Sequence, residues 1–117
     1  MSDVPYQGKI EISPTAIASI ANEAVLGCYG VVGTADKDLA TGIASTLNRD
    51  RKRGIEVQIE DGRISINVYI IVEYGTRIAA VARSVMDVVQ FSVERALGVP
   101  VAEVNVHVEG LRVSNID

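Results

Sequence analysis

The sequence predicts an α+β domain built as a two-layer sandwich, with helices on one face of a mostly antiparallel sheet. Three observations predict it. Residues 55–60 and 63–72 alternate apolar and polar on either side of Asp61-Gly62, the dipeptide that two-residue hairpin turns prefer. Residues 77–97 repeat apolar side chains at helical spacing. Val104, Val106 and Val108 then alternate with Asn105, His107 and Glu109 as a closing strand.

Taken in order, Met1 to Gln7 read as an N-terminal arm, and residues 8–111 as a single domain followed by a tail at 112–117. Gly8 to Ile12 alternates as a short half-buried strand. Ser13 before Pro14 is an N-cap followed by proline at the first helical position, where its missing N–H costs nothing. The helix that starts there carries Ile17, Ile20, Ala21, Ala24 and Val25 on one face and stops at Gly27. Residues 28–53 form a glycine-punctuated excursion around Val31-Val32, with a turn or two of helix near Ile43, Ala44 and Leu47. It ends in a dense basic cluster, Arg49, Arg51, Lys52 and Arg53. The hairpin follows, with one wholly apolar face that must be covered. Tyr74-Gly75-Thr76 is a turn, Thr76 a candidate cap, and the long helix runs from about Arg77 to Leu97 before Gly98. Its broad apolar face holds Ile78, Val81, Ala82, Val85, Val89, Ser92, Val93 and Ala96, and lies over the sheet. Gly110 ends or kinks the last strand. Strand order cannot be read from one sequence; a split βαβ arrangement with right-handed crossovers is the expectation.

Composition bounds the function. At 117 residues, 48% hydrophobic and 22% charged, the chain has apolar material for one core. Only 4% is aromatic, so the core is Val, Ile, Ala and Leu, and stacking platforms for bases or sugars are scarce. A net charge of −4 and pI near 4.9 disfavour a dedicated nucleic-acid binder. The single Cys28 can form no intrachain disulfide and suits the reducing cytoplasm, and no run approaches the roughly 18–20 apolar residues of a membrane span. Membrane association would come through a partner.

No constellation for catalysis emerges. His107, the one imidazole, sits on the polar face of its strand beside Asn105 and Glu109, without the three or four ligands that a metal site needs. Cys28 follows a helix C-terminus, where the dipole favours the thiol over a nucleophilic thiolate. Glu60 and Asp61 flank a turn and read as solvated. Gly27, Gly30, Gly33 and Gly42 lack the spacing of either phosphate-binding fingerprint. No catalytic residue, metal or cofactor is expected.

Two features point to binding instead. The cluster Arg49, Arg51, Lys52 and Arg53 can meet an acidic protein surface, lipid headgroups or RNA phosphates, or can be a solvated loop. Phe91 falls on the long helix near Ser84, Asp87 and Arg95, away from the apolar face, where an exposed aromatic is a candidate anchor; the excursion or a termination of the sheet edge could equally cover it.

Several segments together carry a family resemblance. Gly8-Lys9-Ile10-Glu11-Ile12-Ser13, Gly30-Val31-Val32-Gly33, Gly54-Ile55-Glu56-Val57, residues 69–75 and Val104-Asn105-Val106-His107-Val108-Glu109-Gly110, in that order, resemble the alkaline shock protein family, the cell-envelope stress response family of Gram-positive bacteria. The resemblance covers roughly Gly8 to Leu111. It implies a small cytoplasmic, non-enzymatic protein. Some members self-assemble and are held near the membrane by a separate anchored partner; others are encoded beside enzymes of fatty-acid activation or synthesis. The family offers no catalytic residues to carry over, and the long polar tails of some members are missing here. The expectation is an interaction or scaffold module in envelope stress that forms a homo-oligomer through a sheet edge, at Gly8 to Ile12 or Val104 to Val108, or through the long helix, and acts through a membrane-anchored or fatty-acid-metabolism partner, with the basic cluster and Phe91 as candidate contacts. The alternative is a nucleic-acid-binding small α/β protein that uses residues 49–53.

Overall fold

The computed structural model describes residues 8, 11–35, 51–52 and 54–113. Helix α1 (Pro14–Leu26) begins as the sequence requires: Ser13 is extended and its hydroxyl accepts the Ala16 N–H at 3.2 Å. Its buried face is Ile17, Ala18, Ala21 and Val25. The strands are β1 (Val31–Thr34), β2 (Arg51–Lys52), β3 (Ile55–Glu60), β4 (Arg63–Glu73) and β5 (Glu103–Arg112), with helix α2 (Ile78–Leu97) between β4 and β5.

The sheet is organised around β4. Asp61 and Gly62, both at positive φ (53° and 77°), reverse the chain so that β3 pairs antiparallel with the first half of β4. Strand β1 pairs antiparallel with the second half. The two meet end to end at Tyr69, whose N–H donates to the Gly54 carbonyl and whose carbonyl accepts the Ala35 N–H, each at 2.8 Å. That junction explains Gly54: at φ 90° a Cβ there would sit within 3 Å of the Ala35 backbone. Strand β5 takes the other edge of β4 in parallel register, and β2 extends the sheet beyond β3.

One face of β4 presents Ile64, Ile66, Val68, Ile70 and Val72, all buried beneath the helices. Opposite them lies a stripe of valines at four-residue spacing on α2, Val81, Val85, Val89 and Val93, with α1 beside it. The predicted α+β sandwich with helices on one face of a mostly antiparallel sheet is therefore the fold.

Several details differ from the sequence reading. Glu11 and Ile12 form no strand; Lys9 and Ile10 of the same segment lie outside the described residues. Both edges of β4 are occupied, by β3 with β1 and by β5, so a four-residue alternation finds no place on the central strand. Val31–Thr34, read as part of an irregular excursion, is a strand because β4 supplies its ladder. The helical turns near Ile43 and Leu47 lie outside the described residues. The βαβ unit is not split: β4 and β5 are immediate neighbours, because β1 and β3 share one edge and leave the other for β5. Thr76 does not cap α2. Its hydroxyl donates to the Glu73 carbonyl at 2.7 Å, a local turn bond that competes with capping, and Arg77 holds the cap position without a side-chain bond. Gly110 kinks β5 without ending it, since a register shift opposite Ile70 and Ile71 lets the strand run on to Arg112. Ile78 and Ala96, placed on the apolar face of α2, are exposed near its two ends.

Candidate interaction surfaces

The valine stripe that buries one side of α2 fixes what the other side shows. Phe91 follows Val89 by two residues, about 200° around the helix, and is 62% exposed. Asp87 and Arg95 stand one turn before and one turn after it, both exposed, and the Arg95 guanidinium carbon lies 5.8 Å from the Phe91 ring centroid. Ser84 continues the same stripe toward the N-terminus and is exposed. The predicted outward position of Phe91 among Ser84, Asp87 and Arg95 is the observed one.

At its C-terminal end α2 is tied down. Gly98, left-handed at φ 79°, donates its N–H to the Glu94 carbonyl at 2.8 Å. The Glu94 carboxylate accepts the Val101 N–H at 2.9 Å and the Gln90 amide at 3.3 Å. The Glu94–Val101 bond thus ties the end of α2 to the segment that leads into β5. At the N-terminal end an open groove of about 450 Å³ separates Tyr29 from the first turns of α2, lined also by Thr76, Arg77, Ala80 and Ser84.

The basic cluster is placed only in part. Arg51 and Lys52 are the two residues of β2, paired with Glu56 and Ile55, so this part of the cluster belongs to the sheet rather than to a loop. Arg49 and Arg53 lie outside the described residues. Of the cluster, the two described residues lie apart from Phe91: Phe91 belongs to the helical layer, Arg51 and Lys52 to the edge of the sheet.

His107 is exposed on the face of the sheet opposite the two described helices, and the parallel register of β4 and β5 gives it neighbours that the sequence alone does not. It stacks on Tyr69 with ring centroids 4.6 Å apart and planes 14° from parallel, and its Nε2 lies 3.3 Å from Asn67 Oδ1. Tyr69, buried on the side of the sheet opposite the described helices, is not singled out by the sequence reading; its place in the polar half of the β4 alternation is the available signal. Cys28 donates its thiol to the Ala24 carbonyl at 3.5 Å, and burial pushes its pKa up. Both His107 and Cys28 are engaged in local packing contacts.

Charge divides between the layers. On the helices and the α2 cap, Glu23, Asp87 and Glu94 balance Arg77, Arg83 and Arg95. Among the described residues, strands β3 to β5 carry Glu56, Glu60, Glu73, Glu103 and Glu109 against Arg63 and Arg112, with Asp61 in the turn, so these three strands are net acidic. Among the described residues no group of three or more His, Cys, Asp or Glu is arranged to hold a metal, and no helix is long and apolar enough to cross a membrane.

Comparison with known proteins places these features in a family. The model of the alkaline shock protein family, described as having a "cell envelope-related function", matches residues 3–113. The uncharacterized protein YloU of Bacillus subtilis is 41% identical over 110 residues, covering 92% of each chain. The uncharacterized protein Spy1614 of Streptococcus pyogenes is 32% identical over 108 residues, covering 91% of this chain and 89% of that one. A second Bacillus subtilis protein, the uncharacterized YqhY, is 30% identical over 108 residues, covering 92% and 79% respectively. No solved structure matches. The match runs through every described strand and both helices, and the chain belongs to the alkaline shock protein family, whose function is related to the cell envelope.

Proposed function

We propose that the protein is a non-enzymatic interaction module of the cell envelope stress response, working in the cytoplasm by associating with itself and with a membrane-anchored or lipid-metabolism protein. The observation that carries this reading is Phe91. It is the sole phenylalanine of an aromatic-poor chain, and it stands 62% exposed on a helix whose other side is fully committed to the core. Exposing an aromatic between charged neighbours forfeits burial worth about 2 kcal/mol, and such residues commonly anchor interfaces. The family's cell-envelope description, together with two helices too short or too polar to span a bilayer, supports membrane contact through another protein. His107 and Cys28, the residues best suited to chemistry by type, support it too, since each is taken up by a local contact.

Affinity purification from the native cell tests the reading, with the wild type beside Phe91→Asp and beside a variant with Arg49, Arg51, Lys52 and Arg53 neutralised. The wild type is expected to recover a membrane-anchored protein or an enzyme of lipid synthesis, and one of the two variants to lose it. Recovery of nucleic acid alone, or of the same proteins by all three baits, would reject it.

A further inference from the structure

We propose that the outer face of α2 is a two-fold, self-complementary surface on which a second copy of the chain packs antiparallel, with Phe91 at the axis. This rests on the self-association reading above and specifies its geometry.

The pattern of charge on the helix argues for it. Asp87 and Arg95 lie on the same exposed stripe, four residues to either side of Phe91 and opposite in sign. Antiparallel pairing about Phe91 sets each Asp87 against the partner's Arg95, at both ends of the contact, as a two-fold interface requires. Parallel pairing would instead set carboxylate against carboxylate and guanidinium against guanidinium. The same antiparallel register places Ser84 opposite the partner's Gly98, two small exposed residues that let the helices approach. Arg95 already lies beside its own Phe91, so pairing adds the partner's carboxylate to a cation held near the ring.

The alternative meeting of two copies, sheet against sheet, opposes the net-acidic strands β3 to β5 of each. The helical layer, with its charges balanced, presents no such barrier. The bond from the Glu94 carboxylate to the Val101 N–H fixes the end of α2 against the following segment before association.

Sedimentation velocity over a range of concentrations tests this with the full chain, and circular dichroism verifies folding of each variant. The wild type should self-associate, and Phe91→Asp should weaken association by about tenfold or more. Asp87→Arg and Arg95→Asp should each weaken it by about tenfold, and the double variant Asp87→Arg/Arg95→Asp should return to within about threefold of the wild type because the pair is merely exchanged. A wild type that stays monomeric at high micromolar concentration would overturn self-association itself. A self-associating wild type whose double variant is no better than the single ones would overturn the two-fold pairing alone, and partner recovery in the purification above would be unaffected by either result.

Discussion

Single residues here are decided by backbone junctions as much as by side chains. Gly54 is the clearest case: it holds φ 90° where β1 and β3 abut, and a Cβ would press on the Ala35 backbone. Gly54→Ala should therefore lower unfolding free energy by roughly 3 kcal/mol, from left-handed strain and overlap together, measured by urea denaturation. Gly62→Ala, with open space around its Cβ, should cost only the strain, about 1 kcal/mol. Nothing local in the sequence separates these two glycines, since the atoms that crowd Gly54 come from Ala35, far away along the chain. Phe91 was legible for the opposite reason. Its outward angle follows from helix periodicity alone, and neighbours in sequence are its neighbours in space. His107 shows where that logic stops, because its stacking on Tyr69 and its contact with Asn67 depend on the register between two strands joined by a 20-residue helix.

At the scale of elements, α1, the β3–β4 hairpin and α2 were readable because each carries its own signal: a cap with proline, a two-residue turn, a four-residue valine stripe. Strand β1 carries none, with Gly33 inside it and Gly30 before it; it is a strand because β4 offers a ladder. The joint between α2 and β5 is the least local of these features. Glu94 reaches past the chain reversal to accept the Val101 N–H in a partly buried bond. Glu94→Ala should cost about 1–2 kcal/mol by stranding that donor, with a lower denaturation midpoint and an unchanged slope. Phe91→Asp, on the side of α2 that faces away from the core, should leave the unfolding free energy within about 0.5 kcal/mol of the wild type when both are measured at a concentration low enough to keep them monomeric. The contrast between the two separates a residue that holds the fold from one that serves its surface.

Across the whole molecule, β4 is the member on which the rest depends. It is paired on both edges and covered by helices on one face. Amide hydrogen exchange should accordingly be slowest at Ile66, Val68 and Ile70 and fastest at Ile12 and at the Asp61-Gly62 turn, a gradient readable by NMR or mass spectrometry. The division of charge, with balanced helices and acidic strands β3 to β5, also exists only at this scale; the net charge of −4 says nothing of where it lies. By itself the sequence determined the fold class, the helices, the hairpin, the outward face of α2 and the likeness to an envelope family. Each of the structural features among these rests on contacts a few residues apart, where turn chemistry and periodicity act directly. Only the tertiary structure decided that β1 is a strand, that β5 lies beside β4 with no strand between, that Gly8 to Ile12 gains no strand at Glu11 and Ile12, and what surrounds His107. Those outcomes turn on which edge of β4 each segment occupies, a competition between distant segments that no local pattern encodes.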